Sequence, residues 1–377
     1  MSHRWFLPLL GYVVFAAALL VVPPILGDNV FLLNKFSRYL ALALPAVALS
    51  LSWGYSGILN LGQGASFGLG AYAIAMHLKL VASASNANGL PDFMGWNNVP
   101  ALPWFWEPFH SLGFAVLAGI AVPVILSALL GGFMFRARIA GVFVAIITLA
   151  MLVVVNLLFI DQQRYTGGFN GMTDLAWLKI GSLEFDPYSR AFYYATAGSL
   201  IAALFAGFLL MRSKFGLVLQ AIRSNQERVR YFGYDVARYQ TVAFAISAGI
   251  AGIGGMFYAM VLEFASPTFM GVTLSLSFVI WCAVGGRESL LAAAIGAIVV
   301  NAIQGSLSET FLDTSQLLLG AIFVLVVLFL PRGLGGLIDD TAGRLRAIKQ
   351  RRAAEAARAA KKTDAAGPGV AQREATP

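Results

Sequence analysis

The sequence predicts an all-α fold: a polytopic integral membrane helical bundle of about ten transmembrane helices, with both termini cytoplasmic. Three observations predict it. Of the 377 residues, 59% are hydrophobic and 12% charged, whereas a soluble domain has about 45–50% apolar and about 25% charged residues. The mean hydropathy is +0.76. Apolar runs recur along the chain, and a run of about 20 residues crosses the hydrocarbon layer as a helix. A transmembrane barrel would show short alternating segments instead, and none is evident.

The runs place spans at about 6–26, 38–53, 58–78, 112–134, 139–160, 191–211, 240–262, 270–285, 289–305 and 315–331. No small-residue cleavage site follows the first, so it reads as an anchor rather than a signal peptide. The eighth and ninth are short and can tilt or re-enter. With the N-terminus inside, 20 of the 26 Lys and Arg residues fall on the cytoplasmic side, as the positive-inside rule requires. That count puts Lys35, Arg38, Lys79, Arg164, Lys179 and Arg190 outside. The outside loop 79–111 contains GLPDFMGWNNVPALPWFWEP, whose aromatics suit the membrane interface. The second outside loop, 161–190, holds TGGFNGMTDL, whose glycines suit tight turns.

Residues 1–338 form the predicted membrane domain. Residues 339–377 form a basic, partly disordered cytoplasmic tail. RLRAIKQRRAAEAARAAKK has helix propensity and positive charge suited to anionic headgroups. TDAAGPGVAQREATP has a disordered composition. A merely solubilising tail accounts for the same composition. The net charge of +8 therefore follows from membrane topology and gives no reason to expect nucleic acid.

The cores of the ten spans hold no Asp, Glu, Lys or Arg on this reading. Ion-driven carriers usually place ionisable groups there, although carbonyls alone can hold sodium. Uncharged polar residues do fall in or near spans: Asn60, Gln63, Ser66, Tyr72, Thr148, Asn156, Ser247, Tyr258, Ser275, Ser277, Asn301 and Gln304. Each needs a hydrogen-bond partner in hydrocarbon. Most can bond neighbouring helices. A subset (Asn60, Gln63, Ser66, Tyr72, Thr148 and Asn301) is the candidate path for a small neutral solute, because carboxamides and hydroxyls both donate and accept.

Small residues cluster in SGILNLGQGASFGLGAYA (56–73), with Gly64 and Gly68 spaced as G-x-x-x-G. Ser247, Ala251 and Gly255 repeat a small face. Both suit close helix packing. The single Cys282 excludes a disulfide within the chain. No Lys follows a Gly, so no nucleotide-binding P-loop exists, and H-E-x-x-H is absent. The chain is not expected to be an enzyme. If ATP drives it, another subunit must hydrolyse the ATP.

One charged insert interrupts the apolar pattern. From Phe215 to Phe232 an amphipathic cytoplasmic helix is predicted, ended by Gly233. Leu217, Val218, Ala221, Ile222 and Val229 fall on one face; Arg223, Gln226, Glu227 and Arg230 fall on the other. Such a helix docks on a soluble partner or is a solvated linker, and the residues alone do not choose.

Four stretches point further: SWGYSGILNLGQGASFGLGAYA, TGGFNGMTDL, FGLVLQAIRSNQERVRYFGYDVARYQTVAFAISAGIAGIGG, and AVGGRESL followed by GAIVVNAI and LGAIFVLVVLFLPRGLGGL. Across about residues 40–338 the chain resembles the permease subunits of branched-chain amino acid ABC importers. More narrowly, SNQERVRYFGYDV and VIWCAVGGRES resemble the urea importer permeases of that family. The resemblance implies a second related permease subunit, two cytoplasmic ATPase subunits and an extracytoplasmic solute-binding protein. It implies no cofactor in this chain, with ATP and Mg held by the ATPases. It also implies that 215–236 carries the coupling helix, in which Gly216, Ala221, Ile222, Arg223, Asn225, Arg230 and Gly233 match the family pattern. Where that pattern has Glu after Asn, this chain has Gln226, with Glu227 following.

The expected function is therefore the inner-membrane permease of an ATP-driven importer for urea or short-chain amides, moving solute inward by alternating access. Branched-chain amino acid import by the same machinery is an alternative, as is a stand-alone channel or secondary carrier for a small neutral solute.

Overall fold

Long helices form where apolar runs predict them. The computed structural model describes residues 3–26, 29–86, 89–181, 183–310, 320 and 333–336. The predicted tenth span, 315–331, lies almost wholly outside the described residues, and the basic tail lies entirely outside them. In chain order the main helices are α1 (His3–Leu26), α2 (Val30–Leu49), α3 (Gln63–Ala82), the short α4 (Asp92–Trp96), α5 (Leu112–Arg136), α6 (Val142–Asp161), the short α7 (Gln163–Thr166), α8 (Arg190–Arg212), α9 (Lys214–Ser224), α10 (Gln226–Tyr231), α11 (Val236–Leu262), α12 (Val272–Gly285) and α13 (Leu290–Thr310). A small hairpin, β1 (Leu178–Ile180) with β2 (Leu183–Phe185), closes one loop.

Among the described residues, seven helical segments are long and apolar enough to cross a membrane: Val30–Tyr55, Gln63–Ala82, Leu112–Arg136, Val142–Asp161, Arg190–Arg212, Val236–Leu262 and Leu290–Ser308. Leu9–Ile25 and Val272–Gly285 are shorter apolar segments. The chain is a polytopic helical membrane protein.

Two predicted boundaries move. The second span starts at Val30 rather than near 38, because the Asn29 side chain caps the helix, accepting from Leu32 N at 3.1 Å. The third starts at Gln63 rather than near 58, and residues 57–62 are not helical. The Asn60 carboxamide bonds its own neighbourhood, accepting from Gly62 N at 2.9 Å, and so competes with helical bonding. Between these two helices, Ser50–Tyr55 winds as a π-helical turn.

The bundle is built around α3, α11 and α5. Small residues bring their backbones together. A Cβ on Gly70 would meet the Gly252 carbonyl, one on Gly252 the Gly119 carbonyl, and one on Gly255 the Phe67 carbonyl. Close backbone approach is how helices gain packing without a hydrophobic drive inside a membrane. Gly64 and Gly68 do not join this crossing. They face Leu152, Ser275 and Met270 on α6, α12 and the turn before α12, so the predicted G-x-x-x-G pair serves a different contact. On the outer faces of α5 and α6, Leu117, Ile125, Leu129, Phe133, Phe143, Ile146, Val154 and Leu157 are exposed, as lipid-facing helices require.

Arg212, Arg223 and Arg287 gather at one end of the bundle, here termed the basic end. Loops 83–111 and 163–189 form the opposite, loop end. There the Trp106 Nε1 donates to Tyr165 O at 3.0 Å, and residues Met172 and Ala265 pair through two backbone bonds. Trp96 and Trp104 are exposed while Trp106 is buried, so the aromatic loop is partly interface and partly core.

Gly255→Ala should destabilise the α3–α11 crossing by about 1–3 kcal/mol, the usual cost of overpacking. Gly132→Ala, with open space at its Cβ position, should leave stability level or raise it by up to about 1 kcal/mol. Thermal melting of the detergent-purified protein checks both; equal melting of the two variants refutes the crossing.

Candidate functional site

The first site is a buried polar belt at the unwound segment before α3. Leu61 N donates to Thr148 Oγ1 at 3.1 Å, and Gly64 N to Ser275 Oγ at 3.0 Å. Ser275 Oγ in turn donates to Leu61 O at 2.6 Å. Asn60 Nδ2 donates to Gln63 Oε1 at 2.6 Å. Gln63 Nε2 donates to Ser247 O at 3.1 Å, and Ser247 Oγ donates to Ala48 O at 2.6 Å. Asn60, Gln63, Thr148, Ser247 and Ser275 are all buried. One network thus joins α2, α3, α6, α11 and α12. Irregular backbone inside a membrane bundle must find such partners, and these side chains supply them.

Of the six predicted path residues, Asn60, Gln63 and Thr148 belong to this belt. Ser66 is buried in the first turn of α3. Tyr72 is buried higher on α3, its ring 4.6 Å from that of Phe159, and its hydroxyl has no hydrogen-bond partner among the described residues. Asn301 is apart from the belt, donating locally to Ala297 O at 2.8 Å. The belt also needs Ser247 and Ser275, polar residues outside that set of six. Residues 64–68, GASFG, satisfy the Gly-x-Ser-x-Gly spacing of a nucleophile elbow. Ser66, however, lies within a helix and not at a strand-to-helix turn.

The second site is the charged insert at the basic end. The predicted continuous helix is broken. Asn225 is extended (φ −161, ψ 102), and its side chain accepts from Arg228 N at 3.0 Å, capping α10. The buried face also differs from the predicted one. Gly216, Leu219, Ile222 and Val229 are buried, whereas Leu217 and Ala221 are exposed. Leu217 and Ala221 precede the break, within α9, where packing against α8, α11 and the π-helical turn buries the Gly216–Leu219–Ile222 face instead. Gly233 ends the segment at φ +84, as predicted. Glu227 pairs with Arg230 one turn along, and Gln226 starts α10.

Arg223 does not sit on a purely solvent face. Its guanidinium donates to Gly54 O and pairs with Glu288. Gly54 packs against the Arg287 carbonyl, and the Arg287 guanidinium lies 5.1 Å over the Trp53 ring. Ser50 Oγ donates to Arg287 O at 2.9 Å. The insert is therefore tied to the π-helical turn and to the α12–α13 connection.

A third feature is a buried cation in the last turn of α3, at the loop end. Lys79 lies inside α3, which runs on to Ala82, and it is only 3% exposed. Its Nζ donates to Asp92 Oδ2 at 2.9 Å and to Thr173 O at 3.0 Å. The hydrogen bond from Lys79 holds the Asp92 carboxyl below its ordinary range; slight burial opposes this, and Lys79's charge and a hydrogen bond from Asn86 reinforce it.

Residues 31–327 match the branched-chain amino acid transport system / permease component family. The chain belongs to that family. Relatives of this permease include the high-affinity branched-chain amino acid transport system permease protein LivM of Salmonella typhimurium, 29% identical over 313 residues, 76% of this chain and 66% of that protein. The probable branched-chain amino acid transport permease protein LivM of Methanocaldococcus jannaschii is 26% identical over 320 residues, 77% of this chain and 89% of that one. The ribose import permease protein RbsC of Haemophilus influenzae is 22% identical over 238 residues, 60% of this chain and 71% of that one. The permease thus spans just under two thirds of the Salmonella relative. No solved structure matches it. These relatives are transport permeases, and none is named for urea or amides.

Thr148→Val keeps the side-chain shape but leaves Leu61 N–H buried without its acceptor. A loss of about 1–3 kcal/mol is expected, read as a lower melting temperature; an unchanged melt removes Thr148 from the belt. The Asp92 shift gives a pH signature. A depressed folded-state pKa stabilises above the unfolded value near ~3.9 and is lost as pH falls through the folded value. Asp92→Asn should therefore melt below wild type at neutral pH, with the gap closing only below about pH 4. A gap that already closes above pH 5 contradicts the shift.

Proposed function

We propose that this chain is a membrane-spanning permease subunit of an ATP-driven ABC importer in a bacterial inner membrane, carrying a branched-chain amino acid inward. It would work with a second related permease, two cytoplasmic ATPase subunits that hold ATP and Mg, and an extracytoplasmic solute-binding protein. The basic end then faces the cytoplasm, in line with the distribution of Lys and Arg. Family membership supports this reading. The observation that carries it is the double character of residues 214–234, which bond inward to the bundle and expose apolar side chains outward.

Leu217, Tyr231 and Phe232 are 63%, 90% and 80% exposed, and exposed aromatics at the tip of a charged segment suit a protein partner. Gly216, Ala221, Ile222, Arg223, Asn225, Gln226, Glu227, Arg230 and Gly233 divide between two tasks. Gly216 and Ile222 seat the segment on the bundle. Asn225 and Gly233 shape it. Ala221, Gln226 and the Glu227–Arg230 pair border the exposed side. Arg223 transmits motion. When ATP draws the ATPases together, the segment moves as a body, and Arg223 carries the displacement to Gly54 and Glu288. From Gly54 the π-helical turn leads directly into the unwound segment, where Asn60, Gln63 and Thr148 hold the belt closed. Re-pairing of these neutral groups would open a path with little electrostatic cost.

The urea or short-chain amide reading keeps one support, the uncharged belt. The relatives lend it no second one, since the LivM and RbsC proteins are named for branched-chain amino acids and ribose. A stand-alone channel would need no exposed docking segment.

Arg223→Ala in the assembled transporter should cut solute uptake by about tenfold or more, the effect of losing charge-assisted bonds, while ATP hydrolysis and co-purification of the subunits persist. Glu288→Gln should act in the same direction and less strongly. Wild-type uptake in the Arg223→Ala complex overturns the coupling role. Flux through this chain without ATPases overturns the importer reading.

A further inference from the structure

We propose that a cavity at the loop end is an entry site for a zwitterionic α-amino acid with an apolar side chain, in which Lys79 receives the carboxylate and Asp92 the ammonium group. The cavity has a volume of about 510 Å³ and is lined by Lys79, Asp92, Phe93, Trp96, Asn97 and Asn170 among others. That volume lies within the range of small-ligand pockets, about 300–1,000 Å³.

The ion pair is the first argument. The Lys79 side chain is 4% exposed and that of Asp92 43%. Lysine is seldom so buried. A buried ion pair brings little net stability, because desolvation offsets its attraction. Packing alone thus gives no reason for a lysine here, whereas a cavity that must receive charge does. Among the described residues Nζ makes two bonds, to Asp92 and Thr173, and an ammonium has three donors. A zwitterion entering beside the pair brings one negative and one positive group. It replaces one ion pair by two and leaves no charge unmatched. A neutral amide offers no such exchange.

The walls are the second argument. Phe93 is buried and Trp96 is 82% exposed, giving an apolar side to the cavity. Asn97 and Asn170 give a polar one. The rim is fixed: Gly171 is wedged against the Ala265 carbonyl, and Met172 pairs with Ala265 through backbone bonds of 2.7 and 2.9 Å. A fixed rim spares the ordering cost of binding.

The third argument is what lies beneath. Tyr72 precedes Lys79 by seven residues on α3 and so shares its face. Its buried hydroxyl is without a hydrogen-bond partner among the described residues. His77 lies between them on a different face, against Phe109 O; on the Lys79 face, Tyr72 is the next polar group down α3 toward the belt. A solute leaving Lys79 would meet it there.

The inference rests on the amino acid reading of the solute and on the loop end facing outward. Proteoliposomes holding the assembled transporter and its binding protein test it, with labelled L-leucine and labelled urea as parallel probes. Lys79→Gln and Asp92→Asn should each lower leucine uptake by about tenfold. Asn170→Asp leaves the ion pair in place and adds a negative charge, and it should also lower leucine uptake. Because Cys282 is buried, N97C offers a separate readout. L-leucine should slow its modification by a membrane-impermeant maleimide, and urea should not. A wild-type transporter that carries urea and not leucine overturns the substrate reading and this site with it. Leucine uptake that is normal in wild type, K79Q, D92N and N170D alike overturns the site alone, as does N97C labelling that leucine leaves unchanged.

Discussion

Backbone amides buried in a membrane bundle must be hydrogen-bonded, and the unwound residues 57–62 impose that demand on everything around them. Thr148 and Ser275 answer it with side-chain oxygens from two other helices. Asn60 answers it locally and donates to Gln63, which in turn reaches Ser247. The tight α3–α11 crossing follows from the same demand. Gln63 can reach α11 only because Gly70, Gly252 and Gly255 let the two backbones nearly touch. Small residues and polar residues thus serve one purpose here, which is to hold a helix start in the middle of a bundle.

That irregular stretch is continuous with the basic end. The π-helical turn Ser50–Tyr55 precedes it directly, and such turns are frequent at functional positions. Arg223 and Arg287 both grip this turn. On the proposed coupling role, a push on α9 would be applied at this irregular backbone, next to the polar belt. A continuous helix from α2 to α3 would have transmitted the same push as rigid tilt.

Charge is distributed by the same economy. The belt is neutral, so its members can exchange partners without exposing an ion to hydrocarbon. Among the described residues the one deeply buried cation, Lys79, is placed near the loop end with a carboxylate in reach. The basic end carries its charge on exposed α9 and α10, and there the Glu227–Arg230 pair is worth little by itself. It serves to shape the surface more than to stabilise it.

Hydropathy alone determined the helical class and most of the spans among the described residues, although the second and third began several residues away from where the apolar runs placed them. Those properties are local sums over consecutive residues, so one chain suffices to read them. The motifs in 40–338 likewise indicated the family, though the narrower urea resemblance found no support among its relatives. Three things required the fold. The break at Asn225 depends on its side chain turning to cap α10, and the buried face of α9 depends on its packing against α8 and α11. The belt depends on Thr148, Ser247 and Ser275 arriving from α6, α11 and α12, long distances away along the chain. The charge of Lys79 was visible in the sequence, but its burial depends on α3 extending past the hydrophobic run and on Asp92 folding back to meet it. Contacts between distant segments are set by packing geometry, and no window of consecutive residues contains that geometry.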